Sequence, residues 1–137
     1  MKYHGETYLE SMTGGLIFRR THLEHILRAT ELIEQLHNLG FVHGDIHPKN
    51  MVIQPDKSLC IIDFNCSRRV GESLHYMGNP LFASMNVCRG CPLSKRDDIE
   101  SLIYLAFYLT HNYQLPWSDM FGDANLRKEH SDLHLIK

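Results

Sequence analysis

The spacing of apolar residues along this chain changes from a helical period to short alternating runs and back again, and each change marks an element. Between Thr21 and Leu39 the residues Leu23, Ile26, Leu27, Ile33, Leu36 and Leu39 recur broadly at the period of an amphipathic helix. "THLE" at its start has the form of a capping box: Thr21 would accept from the amide three residues on, and Glu24 would reach back to the cap. Gly40 suits the left-handed residue that ends such a helix. Phe41 and Val42, then Met51 to Ile53 and Leu59 to Ile62, read as short strands, the last two joined by "QPDKS" with its Pro-Asp turn signal. Residues 98–111, "DIESLIYLAFYLTH", are apolar almost all round, which predicts a helix covered on several sides. An edge strand is expected around Thr7 to Leu9, and "TGG" (Thr13 to Gly15) breaks the chain after it. The stretch 118–137 is polar and weakly patterned, enough for a short helix at most. The pattern predicts a single α+β domain, mostly helical, over residues 1–137.

Composition narrows the class. The chain is 43% hydrophobic and 22% charged, as an ordinary soluble domain is. With 14 basic and 16 acidic residues the net charge is −2, so no electrostatic case exists for nucleic acid or for an anionic membrane, and neither is expected as a partner. The first ten residues, "MKYHGETYLE", contain no signal-peptide core, and the longest apolar run, Leu102 to Leu109, is too short to span a bilayer. Cysteines at 60, 66, 88 and 91 then read as reduced thiols of an intracellular protein, cytoplasmic or nuclear. "CRGC" (Cys88 to Cys91) could hold zinc only with two further ligands. Cys60 and Cys66 have an unusual spacing for that, and the default reading is loop cysteines without a role. The ten histidines are scattered, as surface and loop residues are.

The chemistry concentrates in "FVHGDIHPKNMVI", residues 41–53, where two apolar runs flank a polar loop. Asp45 and Asn50 bracket this loop, Pro48 stiffens it, and Asp63 ends the second strand of the hairpin that follows. Any one of them alone is more simply a turn former, since Asp and Asn bond their own backbone. Together they offer oxygen ligands of the kind magnesium takes, and a carboxylate able to accept a proton from an attacking hydroxyl. Those are the parts that phosphoryl transfer needs.

"VHGDIHPKN" resembles the protein-kinase catalytic loop H-R-D-x-x-x-x-N, and "DFN" (Asp63 to Asn65) resembles D-F-G. "FASMNVCRGCPLSKRDDIESLIYLAFY", followed by "LPW", is similar in register to casein-kinase-1-type kinases, and "HGD" to the related vaccinia-related kinases. "YLESMTGG" (Tyr8 to Gly15) looks like a kinase hinge, and residues 21–39 like the long helix before the catalytic loop. The resemblance covers about residues 8 to 117. It implies the fold of a kinase C-terminal lobe, without the N-terminal lobe, and a serine/threonine protein kinase that uses ATP and Mg2+. By the same resemblance Asp45 is the catalytic base, Asn50 and Asp63 are magnesium ligands, and Glu10 to Met12 offer backbone groups to adenine. Asp98 becomes a buried brace for the catalytic loop, expected to meet backbone amides near His43 or Gly44.

The chain departs from that pattern in several places. No Gly-rich phosphate loop and no V-A-I-K lysine precede Tyr8, so a truncated product or pseudokinase, inactive as this chain alone, is expected, with a complementing N-terminal lobe as a candidate partner. His47 stands where a lysine meets the transferred phosphate. Asn65 replaces the glycine of D-F-G, and as an asparagine it tolerates left-handed backbone. Gly44 replaces an arginine, and Asn79 stands where a threonine is expected after Gly78. Three readings follow: a casein-kinase-1-like kinase segment with a protein substrate, a non-catalytic kinase-like module that binds a partner protein, or a truncated gene product.

Overall fold

The computed structural model describes residues 6–7, 19–72 and 78–121. Among these, three helices pack with two small antiparallel sheets. β1 (Glu6–Thr7) precedes the long helix α1 (Arg19–Asn38), and β2 (Phe41–Val42) follows it. A 3-10 turn (Pro48–Asn50) leads into the hairpin of β3 (Met51–Ile53) and β4 (Leu59–Ile61). β5 (Arg68–Arg69), the single-turn α2 (Met85–Cys88), α3 (Lys95–Thr110) and a closing 3-10 turn (Ser118–Phe121) complete the order. One sheet runs β1-β3-β4 and the other pairs β2 with β5. In the hairpin Met51 faces Ile61 and Ile53 faces Leu59. Lys57 takes the left-handed conformation (φ 70°) in its turn, as a short loop closing on a type I turn demands.

Helix α1 differs from its sequence reading at its start and in the face it buries. It already includes Arg19 and Arg20, so Thr21 lies inside it and "THLE" is not its capping box. Arginine is a good helix former, and Arg20 gains an i,i+4 pair with Glu24 (3.1 Å), which occupies the carboxylate the box would have used. Its buried residues are His22, Ala29, Ile33 and His37, with Ile26 and Leu36 half-buried, while Leu23, Leu27 and Leu39 face outward. The apolar period is real, but burial follows a stripe that two histidines share. Gly40, at φ 85°, ends the helix as expected, its amide bonded to the His37 carbonyl at 3.1 Å.

Helix α3 lies against α1 and forms the centre of the core. Leu102, Leu105 and Leu109 of α3 meet Ala29 and Ile33 of α1, Ile46, Met51, Leu59, Phe82, Leu115 and Trp117 in one cluster. The helix starts before residue 98, because Asp97 receives the Ser94 amide (2.6 Å) and hydroxyl (2.8 Å) in its first turn. Asp97 also accepts from the Ser84 hydroxyl (2.6 Å), which caps α2. Not every side of α3 is covered by the described residues. Ile99, Ile103 and Phe107, four apart, stay exposed.

The carboxylate of Asp98, 1% exposed, joins α3 to the loop after β2. Oδ2 accepts from the His43 amide (2.7 Å) and from His37 Nε2 (2.8 Å), and Oδ1 accepts from the Gly44 amide (2.8 Å). Charge-assisted bonds of this kind are stronger than neutral ones, and an amide stripped of its partner in such a place costs about 1–3 kcal/mol. Asp98→Ala orphans two buried amides at once. Urea unfolding of the two proteins should show a lower midpoint for the variant, by about 1–3 kcal/mol per orphaned donor. Equal midpoints would remove Asp98 from the supports of this fold.

Candidate active site

The chain between β2 and β3 is shaped by a glycine and a proline. Gly44 sits at φ 82°, and a Cβ there would lie 2.7 Å from Leu93 Cδ2 and 2.9 Å from the Cys66 carbonyl oxygen. No side chain fits that approach, so the glycine of "HGD" answers to packing here. Pro48 starts the 3-10 turn that delivers Asn50, and Asn50 is buried at its end.

Asp45 and Asn50 are in contact. Asn50 Nδ2 donates to Asp45 Oδ2 (3.0 Å) and to the Asp45 carbonyl (2.9 Å), bonds that do not use the Asn50 amide oxygen, the one atom of this side chain able to take a metal. Asp45 Oδ1 accepts from the Asn79 amide at 2.7 Å, and His47 Nε2 lies 3.4 Å from Oδ2. Burial pushes the Asp45 carboxyl up, but the bonds from His47, the Asn79 amide and Asn50 outweigh it and hold the group below the usual carboxylate range. Asp45 is therefore the anion, with an Oδ1 lone pair still open to a proton.

Asp63 follows directly on the bond from the Ile62 amide to the Asn50 carbonyl (2.9 Å), which ties the two strand ends together. Its charge and that of Asp45 both act on the Cys66 thiol, which burial first and these carboxylates second push up. The left-handed residue of "DFN" is Asp63 itself (φ 62°), not Asn65. The Asp63 carboxylate compensates locally, Oδ1 accepting from the Asn65 amide at 3.2 Å. Asn50 and Asp63 thus offer hard oxygen donors from two adjoining strand ends, a set that fits magnesium. Glu10 and Met12, assigned to the adenine side, lie outside the described residues. Among the described residues no three of His, Cys, Asp and Glu gather around a possible metal, and all four cysteines are free thiols.

Several contributors were given no role by the sequence reading. His37 reaches Asp98 from the last turn of α1; its place four residues after Ile33 puts it on the buried stripe, the one clue available. The His43 ring is fully buried, accepts from the Asp45 amide at Nδ1 (3.2 Å) and bonds the Ile62 carbonyl at Nε2 (3.0 Å). Phe64 packs on that ring at 5.1 Å between centroids. With Leu32, Ile33, Leu36, Leu39 and Ile61 these two rings line an apolar cavity of about 220 Å³. The Asn79 amide serves Asp45 through the backbone, which no side-chain motif reports.

The phosphotransferase enzyme family (APH) matches residues 10–69. A casein kinase 1-like protein of Oryza sativa subsp. japonica is 32% identical over 114 residues, which cover 71% of this chain and 16% of the relative. A probable casein kinase I homolog of Encephalitozoon cuniculi (strain GB-M1) is 31% identical over 107 residues, covering 71% of this chain and 33% of the relative. The chain thus spans about a third or less of the length of these curated relatives. The resemblance read from the motifs stands: the chain is similar to kinase-like phosphotransferases, with casein-kinase-1-type relatives.

Two measurements follow from this geometry. Gly44→Ala adds a Cβ against backbone and forces a left-handed alanine, so it should destabilise the chain by at least about 1–2 kcal/mol, the cost of the backbone conformation alone. Unfolding midpoints check this, and an unchanged midpoint would mean that the loop relaxes freely. His43 is held neutral: burial lowers its pKa more than the Ile62 bond and the Asp98 and Asp45 charges raise it. Below about pH 6.5 the unfolded chain takes up a proton there that the folded chain refuses, so stability is complete above that pH and falls as pH drops towards the depressed folded value. The urea midpoint should fall between about pH 7 and pH 5, and His43→Gln should flatten part of the slope. A midpoint independent of pH would contradict the assignment.

Proposed function

We propose, with the likeness to casein-kinase-1-type relatives as the premise, that the chain is the C-terminal-lobe segment of a casein-kinase-1-like serine/threonine protein kinase. The reaction it serves is transfer of the ATP gamma-phosphoryl group to a protein hydroxyl. The observation that carries this reading is the Asp45 carboxylate, ionised and held by Asn50 Nδ2 and the Asn79 amide, in a loop fixed by Asp98. As the hydroxyl oxygen attacks phosphorus and the bond to the ADP oxygen breaks, Asp45 accepts the hydroxyl proton. Asn50 orients Asp45 through its amide nitrogen and keeps its oxygen for a metal. Asn50 and Asp63 would hold magnesium, which when bound neutralises charge on the phosphates. Glu10 to Met12 would meet adenine through the backbone.

A second reading, a kinase-like module that binds a partner protein without catalysis, is favoured by one observation. Ile99, Ile103 and Phe107 form an exposed apolar stripe on α3, and Ile103 is 61% exposed.

These 137 residues carry no Gly-rich loop or V-A-I-K lysine, and phosphoryl transfer depends almost wholly on positioning and electrostatics. With radiolabelled ATP, magnesium and casein, the chain by itself should transfer no measurable label. Adding a kinase N-terminal lobe in trans, or testing a longer chain that includes one, should produce transfer that Asp45→Asn abolishes. Transfer by the 137 residues alone that vanishes in Asp45→Asn would overturn the expected inactivity. No transfer under any of these conditions would favour the partner-binding module.

A further inference from the structure

We infer that His47 is a positioning residue for Asp45 and not a contact to the transferred phosphate. The inference rests on the kinase reading above and deepens it by fixing which atom of Asp45 receives the proton. His47 adopts an extended backbone (φ −161°, ψ 168°), two residues after Asp45, so the two side chains can share a face. Its Nδ1 accepts from the Lys49 amide at 3.3 Å, as the cap of the 3-10 turn. A nitrogen that accepts from an amide carries no proton, so in the neutral ring the hydrogen sits on Nε2. Nε2 is the atom that faces Asp45 Oδ2, at 3.4 Å, a long contact of the kind that tightens when a site fills.

The ring has little freedom to do anything else. It is 7% exposed and stacks on Phe82, with 25° between the planes and 6.2 Å between centroids. Phe82 is itself buried and edge-on to Tyr108 of α3. A lysine at this position would carry its charge on a flexible stem that can follow a moving phosphate. An imidazole engaged at both nitrogens and backed by a buried ring cannot. The consequence falls on Asp45. Oδ2 is shared by His47 and Asn50, whereas among the described residues Oδ1 has one donor, the Asn79 amide. Oδ1 is then the oxygen left to accept the proton of the attacking hydroxyl.

The test needs no catalytic activity. In the 15N-labelled full chain without nucleotide, long-range proton–nitrogen spectra of His47 should show the hydrogen on Nε2. His47→Ala should speed hydrogen exchange of the Asn79 amide by about tenfold or more, and of the Asn50 side-chain amide with it, while core amides of α3 change little. His47→Gln can present an N–H near the position of Nε2 and should bring both reporters to within about threefold of wild type. A hydrogen on Nδ1, unchanged reporters in His47→Ala, or equal acceleration of every core amide would each overturn the inference. If His47→Ala does not fold, the wild-type tautomer and His47→Gln still decide it. Failure of the kinase reading would appear in the label-transfer experiment and leave these spectra untouched.

Discussion

The carboxylate of Asp98 is the interaction on which the site depends. It lies at the start of the central helix and takes the amides of His43 and Gly44 together with the ring of His37. Three donors from two parts of the chain meet on one buried anion, and their directions leave the loop one placement. Gly44 is part of the same constraint. Its left-handed backbone lets the loop turn beneath Asp98 while the Cys66 carbonyl passes where a Cβ would be. An anion in this position is tolerable only because each oxygen is met by a donor, so the brace and the loop conformation stand or fall together.

From that fixed loop the polar groups are handed on in order. His43 accepts from the Asp45 amide and bonds the Ile62 carbonyl, so one neutral ring couples the loop after β2 to the end of β4. Burial keeps that ring neutral, and neutrality is what lets Nδ1 accept. Asn50 closes the loop from the other end through Asp45, and its carbonyl holds the Ile62 amide just before Asp63. The carboxylates are thus placed by backbone bonds as much as by their own side chains. The backbone strain at Asp63 falls where the local bonding is dense enough to sustain it.

The described surface is apolar in two regions. One is the cavity between α1, β4, His43 and Phe64; the other is the stripe of Ile99, Ile103 and Phe107 on α3. Leu27 of α1, 66% exposed, belongs to the same imbalance. Leu27, Ile99, Ile103 and Phe107 contributed to the helical periods of the sequence, yet the described part of the fold leaves them outside. A helix period reports which residues share a face, and it does not say whether anything covers that face.

What the sequence determined by itself is the two long helices and the hairpin, and it supplied a candidate chemistry for the loop, while β5 and the single-turn α2 left no pattern in it. The helical period fixed α1 and α3, Gly40 its stop, and "QPDKS" the hairpin, because these signals are local and act within a few residues. The motif spacing of Asp45, Asn50 and Asp63 pointed to hard oxygen donors beside a base for the same reason. Tertiary structure alone decided which side of α1 is buried, giving it to His22 and His37 where the apolar count favoured Leu23 and Leu27. It also placed the left-handed residue at Asp63 and not at Asn65, turned His47 towards Asp45, and brought in the Asn79 amide from 34 residues away. These outcomes depend on contacts between distant segments, and on backbone donors that every residue but proline carries. No pattern of side chains along the chain records where such groups will meet.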